Sequence, residues 1–260
     1  MVSYIDDPVK QLRKIRDLTL IAINDHQYIV IACDSDGGIG NKPQDVVKVD
    51  EETIAQFATR VPLFEIISSG ASPFLIIDCL SFEMDGSGEK VIAAIKKYVR
   101  EAGILEDIQV TGSTEDNVPT VQTGIGVTIL GLADKNQFHV GSSVPGDHLV
   151  CVGIPKSGPK YEVRIDDPEI ISLRELLKIR RLPYVHDILP VGSKGVLHEA
   201  NQMAKSSSLV YKPIQNPGIN MNQSAGPSTC VLLSIPLEKI RDLIMVIQTP
   251  IFIIGQLGKE

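Results

Sequence analysis

Stretches with the two-residue period of a strand alternate with stretches of helical period along this chain, and no other feature restricts the fold as strongly. Residues 18–23 and 28–32 read as strands joined by the polar turn Asn24-Asp25-His26-Gln27. Residues 51–69 set Ile54, Phe57, Ala58, Val61, Phe64 and Ile67 at near-helical spacing, with Pro62 predicting a kink or two shorter helices. A buried strand is expected at 74–79. The helix predicted over 89–102 carries Val91, Ile92, Ile95, Tyr98, Val99 and Ala102 on one face, Lys96, Lys97 and Arg100 opposite, and Gly103 as its stop. Residues 108–110 and 122–132 read as further strands flanking a polar turn at 111–117.

A composition break at 141–147, Gly-Ser-Ser-Val-Pro-Gly-Asp, predicts a boundary between a first domain at 1–144 and a second at 145–260. The second half reads as a strand at 149–154, helices at 168–181 and 196–207, and a strand at 230–234. It closes with a helix at 236–247 opened by Pro236 and a strand at 251–254. Residues 208–229 read as a loop, either beside a cleft or a plain connector. The class is α/β (α+β) in two unequal halves, without a solenoid repeat.

With 43% hydrophobic and 22% charged residues, the chain balances like a soluble globular protein. No apolar run is long enough to span a membrane, and residues 1–8 lack the regions of a signal peptide, so a cytoplasmic chain is expected. A net charge of −7 argues against nucleic acid as a partner. The basic clusters at 10–16 and 178–181 read as solvated helix faces. Cys33, Cys79, Cys151 and Cys230 form no paired motif, which predicts buried reduced thiols and no zinc site.

The stretch 31–42 is richest in chemistry. An apolar strand delivers Asp34 and Asp36, then a glycine loop of Gly37, Gly38 and Gly40, then Lys42. Two carboxylates at i and i+2 of an extended segment point the same way, which suits a hard divalent cation. Glycine N–H groups can turn towards phosphate oxygens, and lysine adds compensating charge. The pattern is not a Walker A loop, and a solvated turn would give the same spacing. Glu65, in an otherwise apolar helix, needs solvent, a basic partner or a metal. At 111–117, Gly112 permits a tight turn, Ser113 and Thr114 offer hydroxyls, and Glu115 and Asp116 offer carboxylates.

In order, these motifs resemble the superfamily of aminoimidazole ribonucleotide synthetase and thiamine monophosphate kinase, which has the PurM-like fold. Asp34 corresponds to an acid that ends a strand there, and Gly38-Ile39-Gly40-Asn41-Lys42 resembles its Gly-Val-Gly-Thr-Lys. Glu65 stands where the family helix carries an aspartate before a Gly-Ala-x-Pro turn, here Gly70-Ala71-Ser72-Pro73. Thr111-Gly112-Ser113-Thr114 resembles Gly-Gly-acid-Thr. Asp17 resembles an aspartate ahead of the first strand, and Pro145-Gly146-Asp147 the entry to the second domain. Residues 226–239 and 253–255 resemble its closing strand-helix-strand.

The resemblance implies a two-domain fold whose N-terminal sheet forms a barrel across a homodimer. It implies ATP and Mg2+, with Asp34, Asp36 and Glu65, supported by Asp17 or Asp116, around the metal. Gly37, Gly38, Gly40, Lys42, Gly112, Ser113 and Thr114 would face the nucleotide. A nucleoside-like acceptor would lie towards His186 and Asp187, with His186 as proton acceptor or merely, with Asp187, capping a turn. Ser113 departs from the family acid, so Glu115 or Asp116 takes its role or one metal site is lost. The late Gly-Gly-Glu-Asp of thiamine monophosphate kinases is absent, which argues against thiamine phosphate as acceptor. Residues 118–128 together with 33–40 most resemble α-ribazole kinase, a salvage enzyme of the cobalamin lower ligand. An ATP-dependent cyclase or dehydratase, and a degenerate nucleotide-binding paralogue, are the rivals.

Overall fold

A computed structural model describes residues 8–101 and 109–259. Packing divides the chain into two compact units, one of residues up to Ile66 with Ala71–Asn136, the other of Ile67–Gly70 with the chain from Gln137 onward. Residues 137–144, which the composition break left with the first half, thus pack with the second. Ser69 accepts a backbone hydrogen bond from His139 there, and Gly70 one from the Arg180 guanidinium at 2.5 Å.

The first unit contains β1 (Leu12–Ile15), β2 (Leu18–Ala22), β3 (Gln27–Gly37), β4 (Ile39–Gly40), β5 (Val47–Lys48) and α1 (Glu51–Ser68), then β6 (Ser72–Leu80), α2 (Glu89–Glu101), β7 (Gln109–Thr114) and β8 (Gly124–Asp134). Six strands pair in the order β1-β2-β3-β8-β6-β7, antiparallel except for β6 with β7, while β4 and β5 form a small parallel pair. One face of the large sheet is core: Val30, Ala32, Ile76, Val127 and Ile129 are buried. α1 lies on this face, where a Cβ at Gly131 would come 2.7 Å from the Ile66 side chain. Helix α1 is apolar nearly all round, so it is buried nearly all round. Even Arg60 is fully buried, its guanidinium 3.9 Å above the Phe64 ring.

The opposite sheet face is also apolar. Ile21, Ile29, Ile31, Leu130, Leu75 and Ile77 share it half-buried, with Leu12 and Leu132 exposed. Alternation of side chains puts Cys33 and Cys79 on that face too, and both are exposed; only Cys151 and Cys230 are buried.

Several local expectations give way to pairing. The basic segment at 10–16 is no helix: a 3-10 turn at Pro8–Gln11 leads into edge strand β1, whose exposed Arg13 and Lys14 pair with Leu20 and Thr19. Pro62 breaks nothing, and α1 runs through it as one helix. Residues 111–114, read as a turn, are strand, held by parallel pairing of β7 with β6. Ala102 and Ile108, predicted to end that helix and open that strand, lie outside the described residues.

The second unit contains β9 (His148–Val152), α3 (Leu173–Ile179), β10 (Asp187–Pro190), α4 (Val196–Ser206), β11 (Val210–Pro213), β12 (Val231–Ile235), α5 (Ile240–Val246) and β13 (Ile251–Gly258). Its sheet is antiparallel in the order β10-β12-β9-β13-β11. α4 packs Val196, Ala200, Met203 and Ala204 into a core with Leu149, Leu232 and Ile254. The helix expected at 168–181 is shortened by a capping box, in which Ser172 and Glu175 satisfy each other's backbone N–H groups. Pro236 is the extended cap of a 3-10 turn at Leu237–Lys239 that precedes α5, not a first α-helical residue. β11 falls inside the stretch expected to be loop.

Candidate functional site

β3 outlasts its apolar run: it pairs with β8 residue by residue through Gly37, so Asp34 and Asp36 stand on an extended strand, as their spacing predicts, and Gly37, expected in the loop, is strand as well. Both project from the core face of the sheet and are half-buried. Burial raises the pKa of Asp34, partly offset by the Ser35 N–H, and the charge of Asp17 adds to the rise. Burial, with the charge of Asp34, pushes Asp36 up to about 6. Among the described residues neither carboxylate is in an ion pair.

A third acid, overlooked in the sequence, shares this face. Across the sheet Asp34 lies opposite Val127, Val127 opposite Asp78, and Asp78 opposite Gly112. Asp78 is 2% exposed, burial raises its pKa against the opposing charge of Lys96, and its Oδ2 has no hydrogen-bond partner. Gly112 is glycine because of this neighbour and not because of a turn: a Cβ there would stand 1.8 Å from Asp78 Oδ1. The one available signal was an acid alone in the apolar run of β6. Two strand spacings separate Asp34 from Asp78, roughly 10 Å between Cα atoms. Consistent with that span, no three His, Cys, Asp or Glu side chains gather at metal-binding distance among the described residues.

The glycine loop follows β3 directly. Gly38 N–H donates to the Thr123 carbonyl at 2.9 Å, so this N–H serves the protein. Gly40 sits at φ +150°, where a Cβ would come 2.4 Å from Thr123 Oγ1. Asp45, 6% exposed, organises the turn: its carboxylate accepts from Thr123 N–H and Thr123 Oγ1, both at 2.7 Å, and from Lys42 N–H at 2.8 Å. Burial alone would raise its pKa, but these hydrogen bonds bring it below the ordinary value. Lys42 reaches Glu83, at 2.5 Å, and the Thr120 carbonyl. Glu83 also accepts from Thr120 N–H, and the Lys42 ammonium foremost holds it at about 2. Asn41, Lys42, Glu51, Phe82, Ser87 and Thr123 help line a small open cleft of about 60 Å³.

The other sequence candidates are dispersed. Asp17 is exposed in the turn before β2, and Glu65 is half-buried on α1. Asp116 accepts from Thr114 Oγ1 and Met84 N–H, which lower its pKa. Gly112, Ser113 and Thr114 lie on edge strand β7. In the second unit Asp187 opens β10 fully buried, accepting from Gly141 N–H at 3.1 Å and Ser143 Oγ at 3.3 Å. His186, partly exposed, places Nδ1 2.8 Å from Asp147 Oδ2.

Residues 16–133 match the family model described as AIR synthase related protein, N-terminal domain. Solved structures match along most of the chain. Thiamine monophosphate kinase from Aquifex aeolicus is 14% identical with a TM-score of 0.67, over 95% of this chain and 90% of that one. AaThiL complexed with AMPPCP and TMP gives 14% and 0.68, over 95% and 87%. T. maritima PurL complexed with ATP gives 13% and 0.66, over 99% of this chain and 45% of that one. The fold is PurM-like. No curated protein matches the sequence.

Proposed function

We propose that the protein is an ATP- and Mg2+-dependent kinase of small molecules, acting on the 5′-hydroxyl of a ribonucleoside of the α-ribazole type. The observation that carries this reading is the pair Asp34 and Asp36, desolvated side by side and unneutralised at the end of the strand that feeds the glycine loop. An all-oxygen, carboxylate donor set suits a hard divalent cation, so the residues present fit Mg2+. Asp34 and Asp36 would hold it, with Asp17 close enough to act on Asp34 electrostatically. Asp78, Glu65 and Asp116 are the remaining candidate ligands. A bound cation of this kind neutralises triphosphate charge.

The chain's own groups supply the rest. The glycine loop presents backbone to phosphate, and Lys42 orients the phosphates once it releases Glu83. In the second unit, His186 and Asp187 are the candidate residues for an acceptor. ATP as donor is supported by the likeness to structures holding AMPPCP and ATP, and kinase chemistry by the likeness to thiamine monophosphate kinase. Residues 118–128 and 33–40 support an acceptor of the α-ribazole type. A homodimer is supported by the broad apolar outer face of the six-stranded sheet. No described helix is long and apolar enough to cross a membrane, and we place the protein in the cytoplasm.

Incubation with ATP, Mg2+ and a panel of nucleosides including α-ribazole, read by mass spectrometry, tests the proposal. A phosphorylated nucleoside is expected. ATP consumption without one would favour a cyclase or dehydratase, a reading that the likeness to PurL also supports. No ATP consumption would favour a nucleotide-binding paralogue, which Ser113 in place of an acid supports.

A further inference from the structure

Glu83 is clamped by donors from two other loops, all of them within the first unit. Its Oε2 accepts from the Lys42 ammonium at 2.5 Å and its Oε1 from Thr120 N–H at 2.7 Å. The Thr120 hydroxyl lies 3.2 and 3.1 Å from the two oxygens. An ammonium, a backbone N–H and a hydroxyl converging on one anion are equally the means by which a phosphate is held. Two oxygens of a phosphate are spaced nearly like those of a carboxylate, so donors that fit one fit the other.

These loops do not depend on the clamp. Without Glu83, Gly38 N–H still donates to the Thr123 carbonyl, Gln44 N–H to that of Val121, and Asp45 still accepts from Thr123. Residues 82–84 remain tied to 115–116, because Glu115 N–H donates to the Phe82 carbonyl and Met84 N–H to Asp116. The Glu83 side chain is 32% exposed and can rotate into water, whereas buried Asp45 has no such exit. A displaceable anion thus covers donors that stay in place when it leaves.

We propose that Lys42 Nζ, Thr120 N–H and Thr120 Oγ1 form a phosphate subsite, which Glu83 occupies as a built-in stand-in until a nucleotide phosphate displaces it. The inference rests on the ATP reading above and deepens it. Thr120 joins the phosphate-binding groups, and Glu83 becomes a competitor of the ligand. No covalent bond changes; one anion replaces another on the same donors.

Isothermal titration of the whole chain with MgATP and, separately, with Mg2+ and inorganic tripolyphosphate tests this. Glu83→Gln keeps an oxygen for Thr120 N–H and removes the competing charge, so both ligands should bind roughly 3- to 10-fold more tightly. Asp85 is an exposed acid two residues on that joins none of these bonds. Asp85→Asn should therefore change either affinity by less than about twofold. Adding Thr120→Val to Glu83→Gln strips a donor without freeing a competitor, and should weaken both ligands roughly 3- to 10-fold. Equal tightening by Asp85→Asn would reduce the effect to the general field and overturn the subsite. A Thr120→Val double variant that binds like Glu83→Gln, or a gain for ATP without one for tripolyphosphate, would also overturn it. Should neither the wild type nor Glu83→Gln bind either ligand, the ATP reading falls and this inference with it. Should the wild type bind MgATP while Glu83→Gln binds no more tightly, only this inference falls.

Discussion

The first unit holds two sets of carboxylates that the fold treats in opposite ways. Asp34, Asp36 and Asp78 are desolvated on one sheet face, and burial raises the pKa of each. Asp45, Glu83 and Asp116 sit on the loops beyond, hydrogen-bonded until their pKa values fall below the ordinary range. The second set is spent on structure: each acid joins segments distant in sequence, Asp45 the glycine loop to Thr123 and Glu83 Lys42 to Thr120. The first set costs free energy in the free protein and recovers it only when positive charge arrives. Acids of one type in one unit are thus divided, by whether donors already surround them, between scaffold and the chemistry proposed above.

Removing one charge from each set is the strongest way to break this comparison. Asp34→Asn is expected to leave the fold intact and to lower Mg2+-dependent turnover by at least about 100-fold, since it removes an anchor for the charge-neutralising ion. Steady-state kinetics with circular dichroism checks both halves, and near-normal activity would dissolve the first set. Asp45→Ala should do the reverse. It strands Thr123 N–H and Lys42 N–H in a site with little solvent, at a cost of ~2–4 kcal/mol in chemical denaturation. A loss below ~1 kcal/mol would show that other contacts hold the glycine loop.

Asp36 sharpens the distinction through pH. Its pKa rises from 3.8 to about 6 on folding, so the folded state prefers the protonated acid. The stability this group contributes is complete below about pH 4 and lost as pH climbs through 6. Asp36→Asn, permanently neutral, should therefore stabilise the metal-free protein by ~2 kcal/mol at pH 8 and by nothing at pH 4. Denaturant midpoints at both values decide it; a gain independent of pH would mean that shape, not charge, is responsible. Excess Mg2+ should narrow the gap at pH 8 by stabilising the wild type alone.

The division between the two sets was only partly legible in the residues. The alternation of periods located most strands and helices, because each buries a stripe whose spacing is local. The apolar period of β3 was legible as far as Ala32, and Asp34 and Asp36 were legible as an extended pair beyond it; that the strand continues through Gly37 was not, because eleven paired positions along β8 keep this stretch of loop composition extended. The same blindness hid β7, since Thr111-Gly112-Ser113-Thr114 reads as a turn until Asp78 stands opposite Gly112. Asp34, Asp36 and the glycine loop stood out because their spacing is short-range. Asp78 and Asp45 did not, because what distinguishes them is contact with Gly112 and Thr123, distant in sequence. Lys42 was expected to face phosphate; its engagement by Glu83 is a tertiary fact that no local pattern encodes.

That engagement supplies the smallest of the expected effects. Glu83 is held at about 2 by the Lys42 ammonium, so whatever stability it contributes is present above its ordinary value near 4.5 and is lost as pH falls through 2. The pair lies near solvent, where screening leaves an ion pair worth little. Glu83→Gln should accordingly shift Tm by no more than about 2 °C, and by less still in 1 M salt. Its effect on ligands should be larger than its effect on the fold. If nucleotide must draw Lys42 away from Glu83, removing the competing charge should tighten ATP binding several-fold, roughly the scale of one exposed ion pair. Isothermal titration at low and high salt would read it. Weaker binding would instead place Glu83 among the groups that hold the loop ready for phosphate, moving it from the scaffold set to the chemical one.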